Sequence, residues 1–467
     1  MRFLTRVTYL LAAALSLSAT AASALAQSTA VSSPEASVPV SDGGERLSKD
    51  ITRSDTTDIV AALRANAIPL RHVEAGNGFA DLQPLKQVWK DVRVIGLGEI
   101  THGTREFFQV KHRLLEFLVR EMGFTAIAIE ASYSNTQPIN DFVLHGKGDR
   151  ASALTGQGWI VWDTEELAAL LDWMRAYNAT VPDLNKVRFH GMDVYWNEVG
   201  QRQVLAFLRR AAPDRLLAAD SLFQLIAREE AKRPVQDTAA LATARPALQS
   251  LAAYLGERKD ALIARSSASE FESAVHHLEV MRRALTPNAR ANAMADNLRF
   301  VIDHERPSTK FVLWAYDGHL ASHDTVTRTI GRAMRESYGD RYYAVATTFN
   351  QGSYQTRVIL PNQPAGDLKA VVAPPAPSGA LSWYLARTGV GNLFLDLRAL
   401  SGDPVLRHWI GTPLVTQGFG WAHHDIVKSY RAMNFRALFD GIIFIERTTP
   451  SRPTPNAREN VAKRLRI

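Results

Sequence analysis

The order of hydrophobic and polar residues between positions 92 and 131 predicts a strand, a helix and a second strand. A short apolar run at residues 92–97 is typical of a buried strand. Apolar residues then recur at spacings of three and four, as on one face of a helix: Phe107, Val110, Leu114, Leu118. Gly123 is placed to end that helix, and a second apolar run follows at residues 124–129. This unit has the length of a crossover between two parallel strands.

Further apolar runs predict the rest of a sheet. Strands are expected at residues 187–194, 311–315, 392–397 and 441–445, and a pair of strands at 341–347 and 355–360 around Gly352. Helices are expected at residues 55–66, 82–89 and 140–144, with a glycine-rich loop after the last. The periodic, Ala- and Leu-rich sequence from 198 to about 305 predicts a helical insertion packed on the sheet domain. The expected fold is therefore α/β, with a central, mostly parallel sheet flanked by helices.

Ionisable side chains follow several of these strands where each one ends. They are Glu99, His102, Glu130, Asp193 and His319. Lys111 lies on the apolar face of the first crossover helix, where a lysine must extend to solvent or to a polar site. Because ligands bind at the carboxyl ends of the strands in open α/β sheets, we expect these six side chains to converge on one cleft.

Such a group of residues allows three functions. A histidine beside a carboxylate can act as a general base on water, while a second histidine or the lysine stabilises an oxyanion. Two histidines and several carboxylates could instead hold a metal ion in a metal-dependent hydrolase. A small-molecule binding protein without turnover could use the same cleft. Other chemistry is excluded by missing motifs: Thr101 breaks the dinucleotide fingerprint, and there is no G-x-S-x-G, H-E-x-x-H or P-loop.

Composition narrows the class of protein. A chain of 467 residues with 46% hydrophobic residues can form a large core. The net charge is +7, but the basic residues are scattered and lack interleaved aromatics, so we expect no binding to nucleic acid. The chain has no cysteine, which excludes disulfides, thiolate metal sites and a cysteine nucleophile.

Both ends of the chain carry their own signals. Residues 1–26 predict a signal peptide, with Arg2 and Arg6 before an apolar stretch and an A-x-A cleavage site that would leave Gln27 first. The apolar stretch is too short for a comfortable membrane span, so we expect a soluble, periplasmic or secreted protein without a stable span after cleavage. Residues 27–50 predict a disordered leader, residues 51–448 the main domain, and residues 449–467 a mobile, basic, Pro-rich tail.

Four segments of the chain resemble the erythromycin esterase family. They are GLGEITHGTREFFQVKHRLLEFLVREMGF with the following IAIEA, the stretches WDTE at 162–165 and WMRAYN at 173–178, and FHGMD at 189–193. The resemblance extends over nearly all of the chain after about residue 50, including MADN at 294–297 and the patch from Trp314 to His319.

The resemblance implies a site and a reaction. His102 would be the base that activates water against a macrolide lactone, and Glu99 and Glu130 would accompany it in the site. Lys111 stands where the macrolide esterases have arginine. His319 matches the later histidine of the family. Asp193, Arg290 and Tyr316 would contact the substrate, a small-molecule ester or lactone. No metal or other cofactor is expected, and a role in antibiotic resistance would follow. The family pattern A-H-N-x-H is here Ala-Tyr-Asp-Gly-His at 315–319, so Tyr316 and Asp317 depart from it.

Overall fold

A computed structural model describes residues 53–195, 197–231, 238–323, 329–358, 368–418, 422–423 and 429–464. The predicted signal peptide, its cleavage site and the predicted leader lie outside these residues. No helix in the described part of the chain is long and apolar enough to cross a membrane.

The strands form one large sheet and one small ribbon. In chain order they are β1 (Ile68–Pro69), β2 (Val94–Glu99), β3 (Ala126–Ser132), β4 (Arg188–Asp193), β5 (Phe311–Tyr316), β6 (Tyr342–Val358), β7 (Leu368–Ala373), β8 (Leu393–Asp396), β9 (Leu414–Gln417), β10 (Ala422–His423), β11 (Tyr430–Met433) and β12 (Gly441–Thr448). Ten of them build the sheet, in the order β1-β8-β12-β6-β2-β5-β3-β4, and β7 and β10 also pair with β6. Strands β9 and β11 form a separate antiparallel pair.

The centre of the sheet is parallel, as predicted. Strand β2 pairs in parallel with β5 and β6, and β3 pairs in parallel with β4 and β5. Strand β12 continues the parallel order beside β6, whereas β8 runs antiparallel to β12. Neighbouring residues of the central strands belong to different apolar clusters, for example Val94 and Ile95, because successive side chains of a strand point to opposite faces. The sheet is therefore buried on both faces.

Helices account for most of the remaining chain. They are α1 (Arg53–Asn66), α2 (Leu85–Val88), α3 (Arg105–Met122), α4 (Gln137–His145), α5 (Arg150–Gly156), α6 (Glu165–Asn178), α7 (Glu198–Ala211), α8 (Leu216–Ala231), α9 (Thr238–Glu257), α10 (Lys259–Ala264), α11 (Ala268–Ala284), α12 (Arg290–His304), α13 (Asp317–Leu320), α14 (Ile330–Tyr338), α15 (Leu381–Arg387), α16 (Pro404–Gly411), α17 (Phe435–Leu438) and α18 (Pro455–Arg464). The α/β fold is confirmed.

The crossover predicted from residues 92–131 is β2, α3 and β3. Helix α3 ends at Gly123, whose φ of 73° is the left-handed conformation that glycine adopts most easily. The predicted helical insertion is also confirmed in its described parts. Helices α7 to α11 enclose an apolar cluster of their own, which includes Val204, Leu248 and Leu278.

Two expectations about local structure are wrong. Residues 341–358 do not form two strands around Gly352; β6 is one continuous strand that pairs with β12 along its first part and with β7 along its last. Gly352 is required because a Cβ there would lie 2.2 Å from the carbonyl oxygen of Thr448. The glycine-rich loop after α4 contains helix α5, whose N-terminus is capped by Asp149.

The C-terminal tail, which the sequence predicts to be mobile, contacts the rest of the domain in its described residues, 449–464. Pro450 and Pro453 form antiparallel bridges to Thr104 and Thr164, and helix α18 follows.

Candidate active site

Glu99 is the centre of a buried ionic network at the end of strand β2. Its Oε1 lies 2.6 Å from Nδ1 of His102, three residues later. Its Oε2 accepts hydrogen bonds from Nζ of Lys111 at 2.7 Å and from Nε1 of Trp314 at 2.6 Å. Because three donors converge on one carboxylate, Glu99 is fixed in position, and it fixes the ring of His102 in turn.

Lys111 lies below this network rather than beside an open cleft. Helix α3 carries it under the sheet edge, where its side chain is fully buried and its Nζ lies 4.6 Å from the centre of the Trp314 ring. It therefore finds its partner, Glu99, inside the protein, as a buried polar group must. Of the two groups expected to face an oxyanion, Lys111 and His319, only His319 is partly exposed.

Glu130, on β3, forms the second half of the site. Its Oε1 lies 3.1 Å from Nε2 of His319 and accepts a hydrogen bond from Arg290 at 2.8 Å. Its Oε2 accepts the backbone N–H of Tyr316 at 2.9 Å and lies 4.0 Å from Nε2 of His102. The two histidines therefore meet at one carboxylate.

Asp193, at the end of β4, is connected to Glu130 through Arg290. The guanidinium of Arg290 donates to both carboxylate oxygens of Asp193, at 3.1 and 2.7 Å, as well as to Glu130. The rings of Trp159 and Tyr195 lie 6.0 and 5.7 Å from its central carbon. Arg290 begins helix α12, so this contact joins the helical region to the sheet edge.

The structure thus brings all eight sequence-predicted site residues to one edge of the sheet. Glu99, Glu130, Asp193 and Tyr316 come from the strands, and His102, Lys111, Arg290 and His319 from the segments that follow. The packing of the parallel strands makes this possible, since Glu99 is aligned with Tyr316 and Ile129 with Trp314.

The charges around His102 and Glu99 favour a protonated His102. Burial lowers the pKa of His102, but the hydrogen bond that its ring donates to Glu99 and the charge of Glu130 outweigh burial, so the pKa is raised above the ordinary 6.5. Burial would raise the pKa of Glu99, but the charge of Lys111 and the bond to His102 lower it below its ordinary value. Glu99 therefore stays ionised, and Nδ1 of His102 donates to it.

The charged groups around Glu130 favour its ionised form. Burial acts to raise its pKa, but the charge and hydrogen bond of His319, followed by the charges of His102 and Arg290, bring it well below the ordinary value. The negative charge of Glu130 helps to stabilise the protonated form of His102.

Asp317 is a buried carboxyl that sequence reasoning noted only as a departure from the family. It lies behind the site, where its Oδ1 occupies the space that a Cβ at Gly98 would need, 2.0 Å away. The backbone N–H of Thr347 faces it at 3.3 Å. Burial raises the pKa of Asp317 to about 8 although Lys111 opposes this, so Asp317 is protonated at neutral pH.

Two tryptophans were missed as parts of the site. Trp314 donates to Glu99, and Nε1 of Trp162 donates to the backbone oxygen of Glu130 at 2.7 Å. The ring of Trp162 also lies 5.8 Å from that of His102. From the sequence pattern alone, each tryptophan is predicted to be a core residue. A signal was available for Trp314, because a buried indole N–H needs an acceptor and Trp314 lies near the end of a strand that pairs with the strands carrying Glu99 and Glu130.

A metal ion held by both imidazoles would use His102, Glu130 and His319, because the two rings approach Glu130. Within the described ranges, no three histidine, aspartate or glutamate side chains form an arrangement suited to a metal ion. Arg290 also donates to the same oxygen of Glu130 that His319 approaches, so that oxygen already faces two nitrogen groups.

With this geometry in place, comparison with known proteins identifies the family. The model of a protein family described as "Erythromycin esterase" matches residues 119–448. The chain belongs to the erythromycin esterase family. The family is one of esterases and hydrolases. The match includes Glu130, Asp193, Arg290, Tyr316 and His319, and begins after His102.

Two curated relatives agree with this assignment. "Erythromycin esterase type II" of Escherichia coli is 30% identical over 164 residues, which are 34% of this chain and 38% of that protein. The match thus spans well under half of that relative's length. "Putative hydrolase YbfO" of Bacillus subtilis (strain 168) is 22% identical over 425 residues, 83% of this chain and 91% of that protein.

Solved structures share the fold. A crystal structure named as a succinoglycan biosynthesis protein superposes with a TM-score of 0.72 at 22% identity, covering 86% of this chain and all of that one. A mutant of the erythromycin esterase EreC in its open conformation superposes with a TM-score of 0.62 at 16% identity, covering 80% of this chain and 95% of that one. At these identities the likeness concerns the fold alone.

Proposed function

We propose that this family member hydrolyses a carboxylic ester or lactone with a water molecule that His102 activates. The observation that carries the proposal is the position of His102, with Nδ1 at 2.6 Å from Glu99 and Nε2 at 4.0 Å from Glu130. Because Nδ1–H donates to an ionised Glu99, a neutral His102 presents its lone pair on Nε2. The separation of Nε2 and Oε2 allows one water molecule to hydrogen-bond to both.

The reaction has two steps. Nε2 of His102 takes a proton from the water as the water oxygen bonds to the carbonyl carbon, and the carbonyl oxygen becomes an oxyanion. Glu99 and Glu130 stabilise the imidazolium that results. The bond from carbon to the alkoxy oxygen then breaks, and His102 returns the proton to that oxygen. The products are an alcohol and a carboxylic acid.

His319 and Arg290 are the donors proposed for the oxyanion. Both contact Glu130 next to His102, and their side chains are 22% and 29% exposed, whereas Lys111 is fully buried. Loss of one oxyanion donor costs about 10²- to 10³-fold in rate. We therefore expect His319→Gln to lower kcat by a factor in this range.

The test is a hydrolysis screen of purified protein with short-chain esters, simple lactones and macrolides. His102→Gln should lower turnover of whichever substrate is cleaved by at least about 10²-fold. His190→Gln is the matched control, because Nε2 of His190 lies 3.2 Å from Glu305 in a histidine–glutamate pair outside the site. Wild-type turnover in His102→Gln would show that His102 is not the base.

The same screen separates the alternatives. We propose that no metal takes part, so activity should survive exhaustive chelation; loss on chelation and recovery with zinc would make the site a metal-dependent hydrolase. Saturable binding without turnover of any ester would make the chain a binding protein. A role in antibiotic resistance requires that a macrolide be among the substrates.

We also propose that the protein is exported. Support comes from the charged start, the apolar stretch and the A-x-A site within residues 1–26. Mass spectrometry of protein from the native host should find Gln27 as the first residue, outside the cytoplasm. A retained Met1 would contradict export by this signal.

A further inference from the structure

Two aromatic side chains, here named the aromatic corner, flank the guanidinium of Arg290. They are Trp159 and Tyr195, whose ring centres lie 6.0 and 5.7 Å from the central carbon of that guanidinium. The two rings lie 6.2 Å apart, with an angle of 65° between their planes. Both residues are partly exposed, and the side chain of Arg290 is 29% exposed. The corner is therefore partly open to solvent beside a charged group of the site.

The backbone of Trp159 is fixed by buried amide side chains. Gln157 is buried; its Oε1 accepts the N–H of Trp159 at 3.0 Å, and its Nε2 donates to the carbonyl oxygen of Trp159. Gly158, between the two, has a φ of 97°, a conformation that glycine adopts without strain. One residue earlier, the carbonyl oxygen of Gly156 accepts Nδ2 of Asn135 at 3.0 Å. The loop thus holds the indole ring in a defined place.

Tyr195 also lies on a backbone that the core fixes. The preceding residue, Val194, is buried against Val280 of helix α11 and Ala293 of helix α12, and Tyr195 packs partly on the same cluster. The carbonyl oxygen of Val194 accepts Nδ2 of Asn197 at 2.7 Å. Tyrosine and tryptophan have two side-chain torsions, so two such rings on fixed backbones lose little conformational entropy when a ligand packs on them.

The aromatic corner is next to the groups proposed to act on the ester. Arg290 is a proposed oxyanion donor, and it donates to Oε1 of Glu130 at 2.8 Å. The same oxygen lies 3.1 Å from Nε2 of His319, the other proposed donor. A substrate whose carbonyl oxygen accepts from Arg290 therefore has its two substituents close to the guanidinium that the rings flank. One of these substituents can contact the corner.

We propose that the aromatic corner is a subsite for one organic group of the ester and that it selects esters carrying an aromatic ring. The inference rests on the proposed function, hydrolysis at His102. A flat ring can pack on Trp159 and Tyr195 in the offset or edge-to-face arrangements that aromatic pairs prefer. The contribution of such pairs beyond area burial corresponds to about a 2- to 12-fold preference for an aromatic ring over a saturated ring of similar size.

Two pairs of esters test the preference and identify the side of the ester that the corner binds. Benzyl acetate and cyclohexylmethyl acetate differ in the alcohol, and methyl 3-phenylpropanoate and methyl 3-cyclohexylpropanoate differ in the acid. Neither pair conjugates the ring with the carbonyl, so the two members have similar intrinsic reactivity. Acid release in a pH-stat gives kcat and KM. For at least one pair, kcat/KM of the wild type should be about 2- to 12-fold higher for the aromatic member, mainly through a lower KM.

Variants connect the preference to the two rings. Trp159→Leu and Tyr195→Leu keep an apolar side chain without a ring, so each should bring the ratio of kcat/KM within the pair toward one. Tyr195→Phe keeps the ring and should retain the preference. Because the ratio compares two esters on one protein, a displacement of Arg290 that slows both members equally leaves the ratio unchanged.

Trp173→Leu is the matched control. Trp173 is also partly exposed, and it stacks on Tyr177 within helix α6 with ring centres 5.5 Å apart. Its loss should leave the ratio at the wild-type value. A wild-type ratio near one for both pairs, or a ratio that neither leucine variant at the corner changes, would overturn the proposal. So would an equal loss of the ratio in Trp173→Leu.

Equilibrium binding gives a readout that does not depend on hydrolysis. In the His102→Gln protein, NMR titration should show tighter binding of the aromatic member of the preferred pair, and adding Trp159→Leu should remove the difference. Equal affinities for both members would overturn the proposal. If the wild type cleaves no ester and the difference in affinity is found, the proposed function fails and the aromatic subsite stands. If esters are cleaved without preference for the ring, the subsite fails and the proposed function stands.

Discussion

Replacing Trp314 with phenylalanine would isolate one hydrogen bond beneath His102. Nε1 of Trp314 donates to Oε2 of Glu99 at 2.6 Å, and both side chains are buried. A hydrogen bond to a charged group contributes about 1.5–3 kcal/mol net, and the loss is largest where water cannot replace the donor. The substitution also leaves a smaller ring in the core, so its effect on stability needs a reference.

Trp89→Phe is that reference. Trp89 is equally buried, and its Nε1 has no hydrogen-bond partner among the described residues. Both substitutions replace an indole with a phenyl ring, so the lost packing is similar. In urea denaturation at pH 7, the free energy of unfolding of Trp314→Phe should lie about 1.5–3 kcal/mol below that of Trp89→Phe.

The same pair of variants reports on catalysis. Glu99 loses one of its three donors only in Trp314→Phe, so its carboxylate and the ring of His102 lose part of their orientation. A displacement near 1 Å can cost about 10²-fold in rate, and we expect kcat to fall toward that value in Trp314→Phe and to be unchanged in Trp89→Phe. Equal free energies of unfolding in the two variants would refute the energetic argument. Wild-type kcat in Trp314→Phe would refute the positioning argument.

Three further predictions concern pH. His102 must be neutral to act as the base, and its pKa is raised, so kcat/KM should rise with pH through a midpoint above 6.5. Glu99→Gln should lower that midpoint. A wild-type midpoint at or below 6.5 would contradict this prediction. The pKa of Glu130 is depressed, so its ionised carboxylate stabilises the folded state above pH 4.5, the ordinary pKa of a glutamate, and this contribution is lost as pH falls. The decrease in the free energy of unfolding caused by Glu130→Gln, measured in urea, should therefore be largest at neutral pH and become smaller in acid. Asp317, with a pKa raised to about 8, stays protonated in the folded chain while it ionises in the unfolded chain, so its contribution to the free energy of unfolding falls as pH rises from 3.8 to about 8. Asp317→Asn should gain stability relative to wild type across this interval, and a pH-independent difference would refute the assignment.

The sequence revealed the parts of the fold that depend on local periodicity. The crossover β2, α3, β3 was predictable because its apolar residues follow the strand and helix periods without interruption. Strand β6 was not, because glycine usually marks a turn, and only the backbone of Thr448 explains Gly352. The contacts of residues 449–454 were not predicted for a similar reason. The proline-rich composition of this segment is typical of a disordered tail, whereas its partners, Glu106 and Glu166, lie hundreds of residues away in the chain.

The sequence predicted which residues belong to the site, but not the hydrogen bonds and ion pairs that connect them. The strand ends identified Glu99, His102 and Glu130, because parallel strands present their carboxyl ends at one edge. The contacts between these side chains could not be predicted from the sequence. The burial of Lys111 behind Glu99 depends on how helix α3 is rotated against the sheet, and this is a property of the whole core.

The carboxylates of the site and the walls of the small cavity beside His102 come from different parts of this chain. Glu99 and Glu130 lie in the sheet, whereas Ile160, Val161, Ser451 and Pro453 lie on segments outside it. Substitutions on those segments can therefore change the surroundings of His102 without displacing the carboxylates that contact it.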